Sequence, residues 1–361
     1  MSRSREIIFL LGAGASAEAG IPPSAAMIDR IECLLKKDKD WQPFCDLYNH
    51  VRSAIHYAAG LKGQFGNSVS YNIETLVNTL YELERNEEHP LYPFIAAWNS
   101  RFESLAGEKF RKVPEFRQRI LAVLKEWVCP DDPSEGDYYK GLTVAQKTLN
   151  FPLHIFSLNY DRCVERVGNI DFVVEAGFSG FGPKHVWSWE RFVETERGSN
   201  PLPQAFLYKL HGSIDWVRDE DSKDLSRVEQ IQRIKPEQME VIFGREFKLE
   251  AADPYLFYAY QFRQFALDST LIVVIGYGFA DAHINKMLTQ ALRSEGPHRL
   301  VAIAKVDDDN IAQRRKAVAS QLGVLEASVT VLGGTAKSFL SQPDIGERLL
   351  GLIPELKDAP F

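Results

Sequence analysis

Apolar residues recur along this chain with two periods, and the places where one gives way to the other mark the predicted elements. Ile7-Ile8-Phe9-Leu10-Leu11 is an unbroken apolar run of strand length that passes straight into Gly12-Ala13-Gly14-Ala15-Ser16. Residues 24–38 then change period, with Met27, Ile28, Ile31, Leu34 and Leu35 on one helical face. The same spacing predicts helices over residues 71–84, with Asn72 as N-cap, and over residues 115–128. Residues 60–67 and 129–136 read as loops by composition. Apolar strand-length runs return at residues 153–158, 172–174, 206–210, 241–243, 271–275, 300–304 and 328–332. Several have no polar alternation, as expected of a parallel sheet covered on both faces. The charged stretch 217–235 reads as a surface excursion. The pattern therefore predicts an α/β fold. Residues 5–23 and 151–335 form the sheet, residues about 24–150 a large helical insertion, and residues 336–361 a helical tail, all in one domain.

The turn after the first strand carries the first chemical signal. Glycines let the backbone turn tightly and approach a ligand, and a following helix offers unpaired N–H groups to an anion. Gly12, Gly14, Ala15 and Ser16 thus read as a pyrophosphate cradle, with the Ser16 hydroxyl as an extra donor. The plainer alternative is tight strand-to-helix geometry. Gly12, Gly14 and Ala17 also fit G-x-G-x-x-G/A, but the second strand with an acidic end that a Rossmann dehydrogenase needs does not follow.

Two later segments repeat one design: an apolar run ending in polar groups. They are Ile155-Phe156-Ser157-Leu158-Asn159-Tyr160-Asp161 and Leu207-Tyr208-Lys209-Leu210-His211-Gly212-Ser213. Ligands of open α/β sheets sit beyond the carboxyl ends of the strands, so these ends and the glycine turn would meet in one crevice. His211 is the candidate base, because imidazole titrates near neutral pH; a hydrogen-bonded strand-end histidine is the alternative. Asn159 can donate and accept, and so could orient hydroxyls or water, or it could be an ordinary turn residue. Asp161 could cap a helix beginning near Arg162.

In order along the chain stand G-A-G-A-S-x-x-x-G-I-P from Gly12, S-L-N-Y-D ending at Asp161, K-L-H-G-S around His211, and Gly276-Tyr277-Gly278-Phe279-Ala280-Asp281. Together these resemble the ordered motifs of sirtuin-like proteins, over roughly residues 5 to 335. N-Y-D and G-Y-G-F-A-D followed by Ile284 resemble more narrowly the bacterial sirtuin-like branch, whose members often act as NAD hydrolases in antiphage defence. The resemblance implies a Rossmann-like parallel sheet of sirtuin type and NAD+ as substrate. It implies catalytic roles for Asn159 and His211, with Asp161 on the nicotinamide carboxamide. Nucleotide contacts are implied at Gly12, Ala13, Gly14, Ala15, Ser16 and Gly20, and at a second turn, Gly276, Tyr277 and Gly278.

The departures from the deacylase pattern are also specific. Pro23-Ser24-Ala25 stands where deacylases continue Asp-Phe-Arg, Leu158 where they place a glutamine, and Arg245 where they place an acid. No cysteine follows Cys163, so the four-cysteine zinc module is missing and no zinc is expected. Water then becomes the expected nucleophile. The leading expectation is an NAD+ glycohydrolase (NADase) that gives nicotinamide and ADP-ribose, linear or cyclised, and depletes NAD+ during phage infection. A protein deacylase or ADP-ribosyltransferase is the alternative, and a non-catalytic NAD or ADP-ribose sensor a third.

Composition narrows the partners. Net charge is −7, from 42 basic and 49 acidic residues, which leaves no global footprint for nucleic acid. No apolar run approaches the ~20 residues of a membrane helix. Met-Ser-Arg-Ser-Arg-Glu leads directly into the first strand without a signal peptide, so a cytoplasmic location is expected. Little chain follows the last strand. Restraint of such an enzyme is therefore expected from homo-oligomer formation, from a ligand, or from a separate sensor, ATPase or Argonaute-type partner. The exposed faces of the helical insertion are the expected assembly surface.

Overall fold

The first apolar run becomes an inner strand of a parallel sheet. In this computed structural model the described residues are 6–66, 69, 71–84, 100–107, 110–130, 132–178, 185–193, 203–219, 221–241 and 253–354. The strands, in chain order, are β1 (Ile7–Leu11), β2 (Leu153–Ser157), β3 (Val174–Glu175), β4 (His185–Val186), β5 (Ala205–Lys209) and β6 (Gly212–Arg218). They continue with β7 (Leu225–Arg227), β8 (Met239–Val241), β9 (Leu271–Ile275), β10 (Arg299–Ala304) and β11 (Val329–Gly333). Seven of them form one sheet in the order β11-β10-β9-β1-β2-β5-β3, every neighbouring pair parallel. β1 lies between β9 and β2, with Phe9 opposite both Val273 and Ile155. Every residue of β1, β2, β5 and β9 is buried, which is why β1 and β9 read as continuous apolar runs. The α/β class and the parallel sheet agree with the pattern.

Helices fill the interval between β1 and β2: Ser24–Lys37, Cys45–Leu61, Ile73–Glu84, Ser100–Ala106, Lys112–Trp127 and Gly141–Leu149. The Asn72 Oδ1 accepts the Thr75 N–H at 2.9 Å and caps the third of these helices as the sequence predicts. Phe116, fully buried, gathers the rings of Trp41, Phe44 and Tyr48 around it. No helix among the described residues is long and apolar enough to cross a membrane.

Five local expectations change. The glycine turn opens a 3-10 stretch, Ala13–Ala19, rather than an α-helix. The predicted loop at 129–136 gives way at Pro133 to a second 3-10 stretch that buries Tyr138 and Tyr139, and the helix Cys45–Leu61 runs through Gly60. The predicted strand at 241–243 forms as Met239–Val241, while residues 242 and 243 lie outside the described residues. Residues 217–235 are not a surface excursion: they help build a second sheet, in the order β4-β7-β6-β8 with antiparallel pairs. Its charges conceal it, because Arg218 and Glu240 pair at 2.8 Å while Trp216, Leu225, Ile231 and Ile234 turn inward.

Candidate functional site

The carboxyl ends of four adjacent strands, β9, β1, β2 and β5, deliver the polar residues to one place. Their continuations are stitched together: Gly12 N–H donates to Ile275 O, Leu158 N–H to Leu11 O, and Leu210 N–H to Ser157 O, all at 2.9 Å. A cavity of about 410 Å³ opens beyond these ends, within the range of small-ligand sites. Its wall includes Gly12, Ala13, Gly14, Asn159, Asp161 and His211, together with Gly276, Tyr277 and Gly278. The interval between β1 and β2 closes the other side with Pro22, Ser24, Tyr71, Asn72 and Glu74. Ala15, Ser16 and Gly20 are not on that wall.

The glycine turn also makes contacts within the protein. Gly12 and Gly14 donate their N–H groups to Ile275 O and Gly276 O, and Ala15 donates to Gly12 O. These three amides are engaged inside the protein. The glycines serve the contact between the two turns. A Cβ on Gly276 (φ +65°) would stand 2.0 Å from Ala15 N, and one on Gly12 2.6 Å from Tyr277 Cα. Ser16 is fully buried behind the wall, its Oγ 2.9 Å from the Tyr139 hydroxyl, so it supports the site rather than facing the cavity. Burial holds the Tyr139 phenol well above its ordinary range, which keeps it neutral.

Asn159 is fixed by that buried pair. Its Nδ2 donates to Ser16 Oγ at 3.1 Å, and its backbone N–H donates to Ser157 Oγ at 3.1 Å. Its Oδ1 is buried and has no hydrogen-bond partner among the described residues. A buried amide oxygen without a donor is costly and calls for a ligand or water to supply one. Asp161 makes the local bond expected of a turn residue, its Oδ1 accepting Cys163 N–H at 2.9 Å, although no α-helix follows it.

His211 stands where the chain leaves the parallel sheet for the antiparallel one. Gly212 makes that corner with φ +80°, and a Cβ there would fall 2.2 Å from Glu240 O. His211 is buried, and its Nε2 lies 3.3 Å from Asp281 Oδ2. Asp281 was legible as an acidic helix start, but its contact with His211 was not. Two other supports were missed. Lys209, buried in β5, reaches the Ser213 Oγ at 2.8 Å, the Glu165 carboxylate at 3.1 Å and the carbonyls of Tyr160 and Asp161. Glu74 comes from the helical interval and accepts from the Tyr160 hydroxyl at 3.5 Å. A lysine inside an otherwise apolar strand was the available signal for Lys209; Glu74 gave none. Burial, reinforced by Glu74, keeps the Tyr160 phenol neutral. Among the described residues the wall carries three carboxylates, on Glu74, Asp161 and Asp281, and neither lysine nor arginine.

Residues 153–325 match the family model of the SIR2-like domain. The SIR2-like segment holds Asn159, Asp161, His211 and the Gly276–Asp281 turn, while the first glycine turn lies before it. Among solved structures, a Sir2 homologue in complex with NAD is 14% identical, with 97% of this chain and 91% of that one covered and a TM-score of 0.45. A Sir2 homologue mutant in complex with 2′-O-acetyl ADP-ribose is likewise 14% identical, covering 98% and 95%, with a TM-score of 0.44. No curated protein matches the sequence.

Proposed function

We propose that the cavity binds NAD+ and that the protein is an NAD+ hydrolase releasing nicotinamide and ADP-ribose. The observation that carries this reading is Asn159: one end of its amide is tied to Ser16, its acceptor oxygen is buried without a partner among the described residues, and the residue lines the cavity beside His211. Cleavage breaks the bond between the ribose C1′ and the nicotinamide nitrogen, and nicotinamide leaves as a neutral molecule. No general acid is needed for that departure; the transition state is oxocarbenium-like. Carboxylates such as Asp161 and Glu74 suit a cationic pyridinium and the positive charge that develops on the ribose. Water adds to C1′, oriented by the Asn159 oxygen, and its proton passes to His211. In this reading the enzyme is a gated effector of antiphage defence, restrained by self-assembly or a partner protein until triggered.

A second reading, transfer to an acyl-lysine or another acceptor, is favoured by one observation. His211 and Asp281 also line a separate cavity of about 220 Å³, largely apolar, through Leu210, Ile284 and Met287. The test is nicotinamide release from NAD+ by the purified protein, and cellular NAD+ after phage infection, beside Asn159→Ala and His211→Ala. Release without any peptide, lost in both variants, is expected. Release that depends on an acyl-lysine peptide would replace hydrolysis with transfer. NAD+ binding without turnover in either setting would replace it with sensing.

A further inference from the structure

The carboxylate of Asp281 faces two ways. Its Oδ1 accepts the N–H groups of His283 and Ile284 at 2.9 and 3.2 Å, capping the helix Ala282–Arg293. Its Oδ2 lies 3.3 Å from His211 Nε2. The turn that carries it is held from several sides. The Tyr277 hydroxyl accepts Asp281 N–H at 3.1 Å and reaches Asn285 Oδ1 at 3.0 Å, and Asn285 Nδ2 donates to Phe279 O at 2.7 Å. Gln321 donates to the same carbonyl, and Phe279 is kept at φ +59°. A non-glycine residue in that conformation persists only where its surroundings over-determine it. The turn is therefore rigid, and the carboxylate is presented to the imidazole by a capped helix.

We propose that Asp281 is a positioning residue that fixes the tautomer and ring orientation of His211. A carboxylate at Nε2 favours the proton there and leaves Nδ1 as the nitrogen that accepts one. Helix capping alone would be met by Asn or Ser. What those residues cannot supply is an anionic acceptor at Nε2. In Asp281→Asn, the amide oxygen continues the cap and the amide nitrogen turns a donor toward the ring, which drives the proton to Nδ1. The equivalent change in a Ser-His-Asp triad leaves the geometry intact and removes most turnover through the wrong tautomer. The pair lines both the 410 Å³ and the 220 Å³ cavity.

The role in turnover rests on the NAD+-cleavage reading, whereas the tautomer does not. The experiment records ring nitrogen spectra of the ¹⁵N-histidine-labelled full chain, with the His211 signals assigned by their loss in His211→Gln. The wild type is expected to show the Nε2–H form and Asp281→Asn the Nδ1–H form, at unchanged melting temperature. Asp281→Ser, a second capping residue, is expected to keep the fold and lose the Nε2–H preference. Identical ring spectra in wild type and both variants would overturn the proposal. Nicotinamide release in Asp281→Asn is expected to fall about 100-fold or more with KM within about threefold, and undiminished release would also overturn it. A wild type that binds NAD+ without cleaving it would defeat the functional reading, and the ring spectra would still decide the inference about Asp281.

Discussion

Replacing Lys209 with methionine probes how the site's loop is held. The side chain is 1% exposed, and its ammonium meets Ser213 Oγ, Glu165 Oε1 and the carbonyls of Tyr160 and Asp161. The carbonyl of Tyr160 survives the change, because Ser213 Oγ and Ile214 N–H each donate to it at 3.2 Å. For the carbonyl of Asp161, Lys209 is the donor found among the described residues, and leaving it bare costs about 1–3 kcal/mol. Glu165 adds a second part. Burial already raises its carboxyl above the ordinary value and Lys209 pulls it back, so without the ammonium the group takes a proton rather than stay charged. The loss then amounts to about 3–5 kcal/mol, as for other buried pairs broken from one side. Glu165→Gln keeps all three other acceptors of Lys209 but takes the anion from the buried ammonium, and is expected to cost about 1.5–3 kcal/mol. Urea unfolding of the three proteins at pH 7 reads the difference, and hydrogen exchange at the Asp161–Cys163 amides localises it. If Lys209→Met unfolds at the same urea concentration as Glu165→Gln, the buried ammonium is not what holds this loop.

Two further outcomes follow from close approach and burial. Gly276→Ala places a Cβ 2.0 Å from Ala15 N at φ +65°, which combines about 1–2 kcal/mol of backbone strain with about 1–3 kcal/mol of overpacking. Gly278→Ala, whose Cβ meets nothing within 4 Å, should stay within about 0.5 kcal/mol of the parent, and equal melting temperatures for the two variants would refute the account of the turn. Among the free thiols, Cys163 is buried, and burial together with Asp161 pushes it far above the ordinary range, whereas Cys33 is exposed. Iodoacetamide at pH 8 should therefore alkylate Cys33 in the native protein and spare Cys163 until urea is added; peptide mass mapping that finds both modified together would contradict that burial.

The α/β class was legible in the sequence because burial on both faces leaves unbroken apolar runs, and β1 and β9 begin and end where those runs do. The helical interval was legible for a similar reason: a period of 3.6 with Asn72 at its start is a local property. Strand ends were legible too, so Asn159, Asp161 and His211 could be named before any fold was known. Their arrangement could not. The second sheet escaped notice because paired charges such as Arg218 and Glu240 look, one residue at a time, like solvated surface. The glycine turn suggested an anion cradle, since a flexible backbone has the same spelling whether it approaches a phosphate or another turn. The close approach of Gly276 to Gly14 and Ala15 is visible only in the fold. Asp281 and His211 lie 70 positions apart in sequence and 3.3 Å apart in space. The sheet order, which sets β9, β1, β2 and β5 side by side, brought them together, because non-local pairing depends on which strands become neighbours and not on the period of any one of them.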